Sequence, residues 1–134
     1  MRTLAPIPLN TNWLFFPPTT ATTDDLTPDA VWEPLAELAA WPQKQLLAFG
    51  AVYLECHFTL RPTTGCVRYW LHLQTAPEHT IIHLNGYLIG TTRHGEAFQA
   101  NVTDQVTLDE NEILLTVTAA GDFDSLYLQA QPCP

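Results

Sequence analysis

In Thr80-Ile81-Ile82-His83-Leu84-Asn85-Gly86-Tyr87-Leu88-Ile89-Gly90, two short apolar runs flank an Asn-Gly pair. Both turn residues tolerate the positive φ of a two-residue type I′ turn, whose twist matches the strands it joins. The stretch therefore predicts a β-hairpin, with Ile82 and Leu84 buried and His83 outside. Asn85 and Gly86 are expected to serve the turn rather than touch a ligand.

The neighbouring segments carry the same two-residue period. From Val52 to Leu60, Leu54, Cys56, Phe58 and Leu60 share one face, and Glu55, His57 and Thr59 take the other. Val67 to Gln74 alternates most cleanly: Val67, Tyr69, Leu71 and Leu73 against Arg68, Trp70, His72 and Gln74. Ile113, Leu115 and Val117 point inward after an Asp109–Glu112 turn, and Leu126 to Ala130 forms the last strand. Trp13-Leu14-Phe15-Phe16 is a short aromatic strand stopped by Pro17-Pro18, and Thr19 to Pro28 is a polar loop. Gly90 to Ala97 is a polar loop or bulged strand, after which Phe98 re-enters the apolar face. Asn101 to Val106 forms a tight turn. Pro34 to Ala40 carries the chain's one helical signal, a turn or two opened by proline and ended by Pro42.

About eight short strands at roughly 8–12 residue spacing predict an all-β fold, a two-sheet antiparallel β-sandwich of jelly-roll type. The 134 residues fit one domain, 1–134, with residues 1–12 as an extended arm. Only 14% of residues are charged, so Thr, Gln, Asn and His supply much of the polar surface. A net charge of −9 opposes phosphate backbones and anionic lipids, so neither nucleic acid nor membrane is an expected partner. No signal-peptide-like run or membrane-length apolar run is visible, and the default location is cytoplasmic. Cys56, Cys66 and Cys133 show no CxxC spacing. Reduced thiols are expected, with a Cys56–Cys66 bridge across a hairpin as the alternative.

From Trp13 to Leu128 the chain resembles the galactose-binding-like jelly-roll domain of glycoside hydrolase family 2, the N-terminal sugar-binding domain of β-galactosidases and β-glucuronidases. Trp13-Leu14-Phe15 looks like the family's opening aromatic strand. Trp32 and Trp41-Pro42 sit where it places a Trp…Pro segment. Tyr53 to Leu60 is similar to its next strand, with Glu55-Cys56 in place of a basic pair. Ile82 to Gly90 resembles its Asn-Gly hairpin. His94 to Phe98, Val102-Thr103 and Asn111 to Val117 resemble the segments that follow. Glu110 stands where the family usually has glycine. The resemblance implies a sugar-binding domain without the catalytic barrel. Family catalytic carboxylates lie in that barrel, so none is carried over.

The candidate chemistry is sparse. His57, His72 and His83 on outward faces would form a surface cluster if their strands were adjacent, but no HxH or HExxH spacing accompanies them, and no metal site is expected. Carboxylates at Asp24-Asp25, Asp109-Glu110-Glu112 and Asp122/Asp124 lie in predicted turns, whereas glycosidase chemistry needs two facing each other across a cleft. Loop oxygens suit a structural calcium, but no ligand string supports one, and no cofactor is expected. Asn101-Val102-Thr103 matches a glycosylation acceptor and is read as chance. Trp13 and Phe98 are expected in the core. Sugar rings stack on exposed aromatics while polar neighbours read hydroxyls. The candidate ligand-binding residues are therefore Trp70, Tyr87, Arg93, His94 and Glu96, with Trp70 alternatively covered by the Trp32–Trp41 segment. The expected function is a non-catalytic carbohydrate-binding module, stand-alone or accessory to a glycoside hydrolase. The alternative is a structural or assembly domain that binds protein.

Overall fold

In the computed structural model, residues 6–16, 33–43, 50–60 and 65–133 are described. They form two antiparallel sheets facing each other. The strands, in chain order, are β1 (Ile7–Pro8), β2 (Thr11–Phe16), β3 (Glu33–Glu37), β4 (Val52–Thr59), β5 (Val67–Thr75), β6 (Ile81–Leu84), β7 (Tyr87–Thr91), β8 (Phe98–Asn101), β9 (Glu110–Val117) and β10 (Asp124–Pro132). One sheet has the order β1-β10-β5-β8 and the other β3-β2-β4-β9-β6-β7. The expected all-β sandwich is present, with ten strands among the described residues where about eight were expected.

The alternation read from sequence determines what each face does. Leu71, Leu73, Leu126 and Leu128 from the four-stranded sheet meet Leu54, Ile82, Leu84, Ile113 and Leu115 from the six-stranded one, all at 1% exposure or less. Burial of a leucine or isoleucine contributes on the order of 2 kcal/mol, so this double layer is the main source of stability. Trp13 is in the core and its indole N–H donates to Leu9 O at 2.6 Å. Trp41 is buried edge-on to Phe123, with its indole N–H on Gly121 O at 2.9 Å. Each tryptophan thus buries its ring without orphaning its donor.

The Asn-Gly hairpin forms as read: Leu84 pairs with Tyr87, and Asn85 and Gly86 have φ of 52° and 84°. The Asn85 side chain does more than turn the chain. Its Nδ2 donates to Gln105 O at 2.8 Å and to Asn111 Oδ1 at 2.9 Å, while its Oδ1 accepts the Glu112 N–H at 2.8 Å. At the other end of the hairpin, Thr92 Oγ1 accepts the Thr80 N–H, and both threonine hydroxyls donate to Pro77 O. Those buried hydroxyls fix the start of the β7–β8 loop. Gly90 lies against the Phe98 ring, where an added Cβ would come within 2.8 Å of Cε2.

Several expectations are corrected. Glu33–Glu37 is an edge strand, and only Leu38–Ala40 turns, as a single 3-10 turn. Proline is compatible with an edge because its missing N–H can face away from the ladder, and Leu35 supplies the inward contact. The Asp109–Glu112 turn gives way at Glu110 to β9, because Asn111 is drawn into the core at 1% exposure. The 1–12 arm joins the sandwich from Ile7, which pairs with Leu128. The expected reduced thiols at Cys66 and Cys133 are instead a disulfide, with Cα atoms 5.3 Å apart. Val67 pairs with Pro132, so the antiparallel register of β5 and β10 sets the adjacent cysteines opposite each other. Cys56 is free and buried. The Pro17-Pro18 stop, the Thr19–Pro28 loop, Asp24-Asp25, Val31-Trp32 and the turn at 61–64 lie outside the described residues.

Candidate functional site

The outer face of the four-stranded sheet is assembled from alternate residues of β5, β8 and β10. Because Tyr69, Leu71 and Leu73 are buried, Arg68, Trp70, His72 and Gln74 project the other way. The register sets them in rows. Gln129, Trp70 and Asn101 stand side by side, and Tyr127, His72 and Gln99 form the next row. His72 and Tyr127 are directly opposed and stack, with centroids 4.8 Å apart and planes within 9°. Such a cross-strand aromatic pair contributes on the order of 1 kcal/mol. Trp70 is half-buried in its row, and it is Phe123 and Gly121 that Trp41 contacts, in the core.

Burial lowers the His72 pKa, so its ring is neutral at neutral pH. A neutral imidazole offers one donor and one acceptor, and its face stays free of charge repulsion. The surrounding groups are amides, which both donate and accept. The two rows and their β5 neighbours carry one cation, Arg68, and no carboxylate.

Two clefts open at the ends of this face. One, of about 230 Å³, is lined by His72, Gln74, Phe98, Gln99 and Tyr127 among others. The other, of about 500 Å³, is lined by Arg68, Asn101, Thr103, Asp104 and Gln105. Asn101 is held by its own turn, its Oδ1 accepting the Thr103 N–H and hydroxyl.

The five ligand-binding candidates from sequence do not converge. Trp70 is on the outer face just described. Tyr87 opens β7 on the six-stranded sheet and is 60% exposed. Arg93, His94 and Glu96 lie beyond the far end of β7, in an exposed turn closed by the Glu96 N–H on Arg93 O. Sequence alternation sets His72 and Gln74 on the same face as Trp70 and does not assign Gln99 or Gln129. What it lacked was the register that puts Tyr127 on His72.

The three outward histidines are also divided. His72 belongs to the four-stranded sheet, while β9 separates His57 from His83 in the other. His83, expected outside, is half-buried, and its Nδ1 is buried without a partner among the described residues. A different trio does form. His57 pairs with Glu112 across β4 and β9, and Glu55 lies two residues along the same face. Their ligand atoms are within 4.8 Å of one another, and His57 Nε2 is bonded to Glu55 Oε1. The pair lies on the outer face of the six-stranded sheet, over its central strands β4 and β9. Beneath it, burial and then Glu55 push the Cys56 thiol up to about 11.

Neither a family model nor a curated protein matches this sequence. Solved structures do match its fold. A β-glucuronidase from an uncultured Clostridium sp. superposes with a TM-score of 0.75 at 18% identity, over 98% of this chain and 30% of its own. A putative β-galactosidase from Bacteroides fragilis gives 0.77 at 19% identity, over 98% and 24%. A glycosyl hydrolase family 2 member from Bacteroides cellulosilyticus gives 0.70 at 18%, over 96% and 21%. The chain thus spans under a third of the length of these enzymes and shares its fold with a part of them. That agrees with the fold resemblance carried by the Asn-Gly hairpin and the Asn111 strand.

Proposed function

We propose that this chain is a non-catalytic carbohydrate-binding β-sandwich whose site is the outer face of the four-stranded sheet. The observation that carries the reading is the His72–Tyr127 stack beside Trp70, set among amides and free of carboxylates. The Trp70 indole offers an apolar surface for sugar C–H groups, the stacked pair beside it presents its ring edges, and amides complement hydroxyls. Hydrolysis of a glycosidic bond needs an opposed carboxylate pair, and Asp104 is the one carboxylate among the described residues lining its cleft. The fold neighbours, named as glycosidases, support a role beside such an enzyme or as a free-standing module. The Cys66–Cys133 disulfide favours an oxidising compartment over the cytoplasmic default. No helix among the described residues is long and apolar enough to cross a membrane.

The reading is tested by calorimetric titration with a panel of neutral glycans, using the intact chain and Trp70→Ala. Binding in the first and at least a tenfold loss in the second is expected. An equal affinity in both places the site elsewhere.

A second reading, assembly with a protein partner, draws on β7. It is the edge of its sheet, its residues carry no charge, and Leu88 is 66% exposed. A concentration-dependent dimer abolished by Leu88→Lys supports it, and a monomer at all concentrations excludes self-pairing through this edge.

A further inference from the structure

We infer that the outer face of the four-stranded sheet is a row of subsites for an uncharged glycan chain lying along β5, engaged at both ends as well as over Trp70. The inference rests on the carbohydrate reading above and adds the length and charge of the ligand.

Length follows from how the face is laid out. Arg68, Trp70, His72 and Gln74 succeed one another on one side of β5. At roughly 3.3 Å per residue they span about 20 Å, more than one sugar ring covers. Trp70 and His72 are about 7 Å apart along the strand. Trp70 and the stacked His72–Tyr127 pair therefore occupy successive positions along the face. On either side of Trp70 the face opens into a cleft, one lined by His72, Gln74 and Gln99, the other by Arg68 and Asn101. A monosaccharide held at Trp70 would leave both clefts unused.

Charge follows from composition and placement. The protein carries a net −9, which repels a polyuronate or sulfated chain at long range. Among the described residues the face has a single cation, Arg68, and it lies at one end beside the cleft that Asp104 also lines. One end-placed guanidinium does not offset nine net charges. The middle of the face holds Trp70, His72, Tyr127 and amides, with His72 neutral. This is a lining for hydroxyls and C–H faces, not for carboxylates or sulfates.

The test is calorimetric titration of the full chain with cello-, xylo-, manno- and galacto-oligosaccharides, each from monosaccharide to hexasaccharide, and with oligogalacturonides of the same lengths. Gln74→Ala, Arg68→Ala and Trp70→Ala are run in parallel. Gln74 and Arg68 are exposed, so their truncation is compatible with folding. For at least one neutral series, affinity is expected to rise tenfold or more from monosaccharide to tetrasaccharide. Gln74→Ala and Arg68→Ala should each lower tetrasaccharide affinity several-fold while leaving the disaccharide unchanged. Monosaccharide binding as tight as hexasaccharide binding, still lost in Trp70→Ala, overturns the chain inference and leaves the carbohydrate reading standing. Oligogalacturonides binding more tightly than every neutral series overturn the charge assignment. No binding to any sugar overturns both.

Discussion

Asn85 Nδ2 donates to Asn111 Oδ1 at 2.9 Å, and through that bond the hairpin turn is fixed to the first residues of β9. Asn111 is otherwise saturated: its Oδ1 also accepts the Thr107 N–H, and its Nδ2 donates to Thr107 O and Asp109 O. Buried amides of this kind are costly when half-satisfied. Asn111→Ala is expected to lose about 3 kcal/mol of stability in urea denaturation. Asn85→Ala should lose a similar amount, and the double variant much less than the sum. Additive losses would mean that the two side chains act independently.

The disulfide closes a loop of 67 residues between Cys66 and Cys133. Chain-entropy arguments give about 4 kcal/mol for a loop of this size. Cys66→Ser/Cys133→Ser, or reduction, should therefore lower the urea midpoint markedly, and unreduced protein should show one titratable thiol after unfolding. Three thiols in the unfolded, unreduced chain would contradict the pairing.

Cys56 should be inert in the native state. Its thiol is pushed up to about 11, first by burial and then by Glu55. The thiolate fraction at pH 8 falls on the order of a hundredfold below that of an ordinary cysteine. Alkylation of the native protein should be correspondingly slow. The folded pKa lies above the unfolded one, so the folded chain holds the proton more tightly. This contribution to stability is complete below the unfolded value and is lost as pH rises toward about 11.

His72 has the opposite linkage. Burial lowers its folded pKa, so its contribution is present above the unfolded value and lost as pH falls through the folded one. Its NMR titration should fall below that of a free histidine. On the carbohydrate reading, binding should weaken on acidification as the ring facing Tyr127 becomes charged. A His72→Gln variant should lose that pH dependence.

Much of the fold was legible because it rests on a two-residue period. Ile82, Leu84, Leu71, Leu73, Ile113 and Leu115 are buried as their alternation predicts. Pairing between distant strands was not legible. His72 meets Tyr127, Cys66 meets Cys133 and His57 meets Glu112 only because of registers that join segments tens of residues apart. Each partner alone looks like an ordinary surface or strand-end residue. The Pro34 segment misled for a local reason: proline is favoured both at a helix start and on a sheet edge. Its contact with β2 decided between them.

Gly90 links the hairpin to one of the end clefts. A Cβ at this position meets the Phe98 ring, and Phe98 lines the cleft beside Gln74. Gly90→Ala is expected to cost about 1–3 kcal/mol through overpacking. It should also shift the amide resonances of β8. Thermal melts and amide spectra check both, and an unchanged melting temperature would show that the ring moves freely.

The most direct measurement is a ¹⁵N-resolved NMR titration of the intact chain with a neutral oligosaccharide series, following the tryptophan indole N–H signals. The account predicts that the Trp70 indole and the amides of His72, Tyr127 and Gln99 shift together, while the Trp13 and Trp41 indoles stay in place. Shifts confined to Tyr87 and the Arg93–Glu96 loop, or no shift with any neutral glycan, would contradict it.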